Sequence, residues 1–91
     1  LPHPIEFDEK KDAANRREHG ISLEKAQDFD FSTALQAEDA RRDYGEARTI
    51  ALGYIGVRLH VLVYTMRGAT VRPISLRKAN KRERNRYEET L

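Results

Sequence analysis

Between Arg77 and Arg86 the chain places six basic side chains, Arg77, Lys78, Lys81, Arg82, Arg84 and Arg86, against a single acid, Glu83. Cations at this density form an electrostatic footprint for a polyanion, or else a solvated helix face. The segment Val71–Tyr87 reads as a strand that turns at Ala79-Asn80 and opens a helix. A strand end feeding a helix start offers free backbone N–H groups to a phosphate. Outside it, His19, His60 and scattered Tyr and Glu residues are the groups able to move protons. Without HExxH, CxxC, GxxxxGK[ST] or GxGxxG, zinc proteolysis, nucleotide hydrolysis and dinucleotide binding have no support. The basic half also lacks a carboxylate cluster for Mg²⁺, so no metal and no cofactor is expected. What remains suits metal-independent RNA cleavage, in which a ribose 2′-OH attacks the adjacent phosphorus and fixed cations stabilise the phosphorane. It equally suits nucleic-acid binding without chemistry.

The elements that must position these groups follow from local patterns. Ile5-Glu6-Phe7 alternates as a short strand. Asp8 caps a helix over Glu9–His19 that Gly20 stops; its apolar content is only Ala13 and Ala14, so a thin surface helix is expected. His19, in its last turn, either bonds the final carbonyls or transfers protons. Ser22 caps a second helix, stapled by Ile21 onto Ala26 and ending near Phe31-Ser32. Thr33–Glu38 reads as a strand, and Asp39–Glu46 as a charged turn whose Arg41, Asp43, Tyr44 and Glu46 form solvated ion pairs or part of a cleft wall. Strands follow at Arg48–Tyr54, Val57–Thr65 and Thr70–Arg77. In the second of these, Val57, Leu59, Val61 and Val63 make the core face, and Arg58, His60, Leu62 and Tyr64 a mixed face that a helix or a ligand could cover. On that face His60 is an acid–base candidate or a cross-strand surface residue. Arg67-Gly68 marks a turn, and Pro73 requires an edge position or a bulge. Asn80 and Glu83 make a capping-box pair for the last helix, with Tyr87 and Leu91 as its apolar stripe.

Ninety-one residues are expected to form one domain, 1–91, with Leu1-Pro2-His3-Pro4 outside the fold as a disordered or altered terminus. The order of elements gives an α+β fold: a mostly antiparallel sheet, two N-terminal helices and one C-terminal helix. There is no cysteine, no apolar run near ~18 residues and no leader pattern, so a cytoplasmic protein without membrane contact is expected. The net charge of +2 conceals a division. Residues 1–46 hold 12 acids and 7 bases, a net of −5, and residues 47–91 hold 10 bases and 3 acids, a net of +7. The second half is the expected contact surface for nucleic acid or an acidic partner.

Five segments carry a resemblance: IEFD at Ile5–Asp8, HGISL at His19–Leu23, DYGEAR at Asp43–Arg48, LHVLVYT at Leu59–Thr65 and ISLRKANKRE at Ile74–Glu83. In this order and spacing the chain resembles the BrnT family of ribonuclease toxins from type II toxin–antitoxin pairs. The resemblance implies a RelE-like toxin fold, RNA cleavage that inhibits translation, and neutralisation by a cognate BrnA-like antitoxin. It also implies a hetero-oligomer that binds operator DNA through the antitoxin. The family's HG, ISxRKA and RE motifs fall on His19, Gly20, Arg77, Lys78, Arg82 and Glu83, while Glu18 stands where many relatives carry Lys. On this basis Arg77 and Lys78 are expected to hold the scissile phosphate, with Arg67, Lys81 and Arg82 guiding the RNA backbone. His19 is the first candidate for proton transfer and Glu83 the second. The alternatives are a non-enzymatic nucleic-acid-binding or antitoxin-partner module, and a unit that only receives an acidic protein.

Overall fold

A computed structural model of the chain describes residues 3–91. Four strands, β1 (Leu35–Glu38), β2 (Thr49–Ile55), β3 (Arg58–Arg67) and β4 (Thr70–Lys78), form an antiparallel meander in that spatial order. Helix α1 (Glu9–His19) and a 3-10 helix (Leu23–Asp28) precede the sheet, and α2 (Lys81–Glu89) follows it. The α+β class with an antiparallel sheet is as the sequence reads.

β3 is buried on both faces. Leu62, Ala51, Leu76 and Val71 meet Leu23, Ala26 and Phe29 on one side. Leu59, Val61 and Leu52 meet Ala79 and Tyr87 on the other. The alternation expected for Leu59, Val61 and Val63 holds. The mixed face is covered by a helix, the 3-10 helix, and forms the floor of the larger core with Leu62 fully buried. Val57 leaves the core face altogether, lying 99% exposed in the turn before β3. At Pro73 both expectations are met: β4 ends the sheet, and the register with β3 shifts between Val63 and Tyr64.

Four expectations change. The second N-terminal helix is a six-residue 3-10 helix capped by Ser22, and it stops at Asp28 because Phe29 turns extended. That lets Phe29 enter the core and pair with Ile55, while Asp30 N–H donates to Tyr54 O at 2.9 Å. A continued helix would lift both aromatics, Phe29 and Phe31, off the sheet. The Ile5–Phe7 strand is a single parallel bridge between Ile5 and Val71. Of the four leading residues, Leu1 and Pro2 lie outside the described residues, and Pro4 O accepts from Val71 N–H at 2.9 Å. Leu91 is 88% exposed, so the expected apolar stripe of α2 reduces to Tyr87.

Helix α1 has the expected caps, Asp8 and a left-handed Gly20 at φ 70°. Its buried residues are not the alanines but Asp12 and Asn15. Asn15 Nδ2 donates to Leu76 O at 2.8 Å and Ile21 O at 2.9 Å, and its Oδ1 accepts from Leu76 N–H at 3.0 Å. One amide thus stands in for a fifth strand along the open edge of β4. Asp12 Oδ1 accepts from Leu23 N–H at 2.7 Å and the Ser22 hydroxyl at 3.0 Å, fixing the start of the 3-10 helix.

Candidate functional site

The junction of β4 and α2 is built from the backbone outward. Ala79 is buried and its N–H donates to Leu59 O at 3.0 Å, which ties the turn to β3. Asn80 Oδ1 accepts from Glu83 N–H at 2.9 Å and Glu83 Oε1 accepts from Asn80 N–H at 2.8 Å, the reciprocal capping box expected from the spacing. Tyr87 pins the helix from the inside, donating to Thr33 O at 2.8 Å and standing edge-on to Tyr54.

Arg77 completes the junction. Its Nη1 and Nη2 donate to Glu83 Oε1 and Oε2 at 2.8 and 2.7 Å, a bidentate pair. The bonds from Arg77, aided by the Asn80 amide and by Arg86, hold the Glu83 carboxyl below its ordinary range and outweigh its partial burial. The same pair raises the Arg77 guanidinium above its ordinary value. Glu83 is therefore a carboxylate at neutral pH with both oxygens engaged, and Arg77 is a fixed, partly exposed cation whose Nη1 also donates to Lys78 O at 3.3 Å.

Beside the pair lies a cleft of about 260 Å³, floored by Leu35, Ala37, Ile50, Leu52 and Val61 and walled by Glu83 and Arg86. Arg41 stands near enough to Arg77 to oppose its charge. Arg41 is itself held by two 2.7 Å bonds to the fully buried carboxylate of Asp39, which this pairing pulls far below the usual carboxylate range. Arg48 lies 4.1 Å over the Tyr44 ring and Arg42 5.1 Å. The charged turn is thus an organised segment. The Asp39–Arg41 pair was not legible, since the sequence offered many charges in that turn and no sign of which one is buried.

The remaining expected residues disperse. Lys78 follows Arg77 on the strand and so faces the other way. It lines a second cavity, of about 280 Å³, with Gly20, Ile21, Ser22, Lys25, Ile55 and His60. His60 is no surface residue: it is 7% exposed, and its Nδ1 lies 2.8 Å from Arg58 O. Burial lowers its pKa. Lys81 and Arg82 lie in the first turn of α2 and share a groove with Asn85, Arg86 and Glu89. Arg67 pairs with Thr70 at the far end of the β3–β4 hairpin, ~23 Å along the strand from Arg77. His19 closes α1 with Nε2 3.8 Å from the Glu18 carboxylate. The structure brings together Arg77 and Glu83, with Lys81 and Arg82 alongside; neither His19 nor Arg67 bonds to that pair.

Among the described residues, no three His, Asp or Glu side chains converge as a metal site, and no helix is long and apolar enough to cross a membrane. The family model described as a ribonuclease toxin, BrnT, of a type II toxin–antitoxin system matches residues 7–83. That span contains four of the five resemblance segments in full and ends on Glu83. A comparison with curated proteins finds no match.

Proposed function

The chain belongs to the BrnT family of ribonuclease toxins of type II toxin–antitoxin systems, and from that premise we propose a metal-independent RNA endonuclease that works in the cytoplasm and arrests translation. The observation that carries the reading is the Arg77 guanidinium, held in place by Glu83, which with Arg86 lines the adjoining cleft. In this reading the ribose 2′-hydroxyl gives its proton to water as its oxygen attacks the neighbouring phosphorus, and the bond from phosphorus to the 5′-oxygen breaks. The products are a 2′,3′-cyclic phosphate and a 5′-hydroxyl. Arg77 stabilises the charge that gathers on the phosphorane oxygens, and its preorientation avoids reorganisation at that moment. Lys81 and Arg82, at the positive end of α2, hold the backbone that leads to the site.

Glu83 is assigned a positioning role, since its oxygens are occupied by Arg77 and Asn80 and its carboxylate is a weak proton acceptor. Proton transfer at the leaving 5′-oxygen is assigned to His19, which keeps 30% of its side chain exposed. Lys78 and Arg67 engage nucleotides other than the one at Arg77, because the strand directs them elsewhere. The meander with α2 across one face is read as RelE-like. The partner is a BrnA-like antitoxin that covers the toxin and carries the complex to operator DNA.

Two assays test this reading. Purified protein incubated with RNA in EDTA is expected to yield fragments ending in cyclic phosphate. Induction in cells is expected to stop growth until the adjacent antitoxin gene is co-expressed. RNA that is bound but left intact on prolonged incubation would instead select the non-enzymatic module.

A further inference from the structure

The cavity around Lys78 lies across the sheet from Arg77 and takes no part in the cleavage chemistry above. One wall is His60, more than nine-tenths buried. The Arg58 carbonyl has no hydrogen to give, so the 2.8 Å contact requires that His60 Nδ1 carry the proton. The lone pair of the neutral ring then sits on Nε2, to which no protein group donates among the described residues. Burial, with the nearby Arg58 and Lys78 charges, favours the neutral ring. Lys25 and Lys78 line the same space, and neither is paired with a carboxylate among the described residues.

A neutral acceptor flanked by two cations fits a ligand that presents a hydroxyl hydrogen beside an anion. Inorganic phosphate satisfies the lysines and can offer the nitrogen only a hydroxyl on the phosphorus itself, which would have to turn away from the lysines to reach it. A ribose bearing a 3′-phosphate satisfies both, because its 2′-hydroxyl lies on the adjoining carbon; deoxyribose lacks that group.

We propose that this cavity is a ribose-phosphate subsite, in which Lys25 and Lys78 hold the phosphate and His60 Nε2 accepts from the 2′-hydroxyl. The protein thereby tells RNA from DNA at a nucleotide other than the one at Arg77. The assignment to an RNA chain rests on the ribonuclease reading, whereas the chemistry of the cavity does not.

The test uses the full chain with ¹⁵N-labelled histidine, titrated with uridine 3′-monophosphate, its 2′-deoxy counterpart and inorganic phosphate. The free protein is expected to give the Nδ1-protonated tautomer at His60. The ribonucleotide should shift the Nε2 resonance and bind about tenfold more tightly than the deoxynucleotide. Replacing both lysines (Lys25→Met with Lys78→Met), which are solvent-facing changes, should abolish both interactions. Equal affinity for ribo and deoxy ligands, or an Nε2 resonance that no nucleotide moves, overturns the proposal. A shift of equal size with inorganic phosphate also overturns it. None of these ligands has a bond to cleave. A chain that never cuts RNA can still pass this test, and one that cuts RNA can still fail it.

Discussion

A guanidinium that must meet a phosphate gains by being aimed before the phosphate arrives, and Glu83 does this for Arg77 through two bonds of 2.7–2.8 Å. The folded pKa of Glu83 lies below its ordinary value of 4.5. The stabilisation is therefore complete above that value and is lost as pH falls through the folded value. Glu83→Gln keeps an acceptor for the Asn80 amide but removes the charge. It is expected to cost about 1 kcal/mol at pH 7 in urea unfolding, with the difference from wild type shrinking as the pH is taken below 4.5. A gap that widens with acid would refute the pairing. The capping box was legible because it depends on a local spacing of three. The burial of His60 was not, because strict alternation treats a strand as having one wet face, whereas β3 has none.

Among the elements, α1 is held to the sheet by polar groups. Asn15→Ala would leave Leu76 N–H and O without partners at a buried edge, and about 2–3 kcal/mol of stability should disappear in denaturant titration. A loss under 0.5 kcal/mol would mean that water or a neighbour replaces the amide. Gly53 lies under the 3-10 helix exit, where an added Cβ would stand 2.7 Å from the Phe29 ring. Gly53→Ala should cost about 1–3 kcal/mol by thermal or denaturant unfolding, since Phe29 must give way inside a packed core. Caps, hairpins and the three long strands were legible in turn residues and alternation. The length of the 3-10 helix was not, because it is set by where Phe29 must go, and local propensity carries no trace of that. The docking of α1 was likewise hidden, since Asp and Asn on a helix read as solvated until the open edge of β4 is placed beside them.

Across the whole molecule, the basic half supplies β2 to β4 and α2, and with them the strand–helix junction and its run of cations. Binding of single-stranded RNA should weaken steeply with salt, and removing one phosphate-contacting cation should reduce the log–log slope by about 0.7. Lys78→Met is expected to show that decrement. Lys11→Ala, in the exposed first turn of α1, is expected to leave the slope unchanged; equal slopes for the two variants would argue against a localised track. The most direct measurement is single-turnover cleavage of an RNA oligonucleotide in EDTA by wild type, Arg77→Lys and Arg77→Ala, each shown by circular dichroism to be folded. Cleavage by wild type, an intermediate rate for Arg77→Lys and a loss of at least ~100-fold for Arg77→Ala are predicted. A folded Arg77→Ala protein that cuts as fast as wild type would contradict the assignment of Arg77 to the transition state.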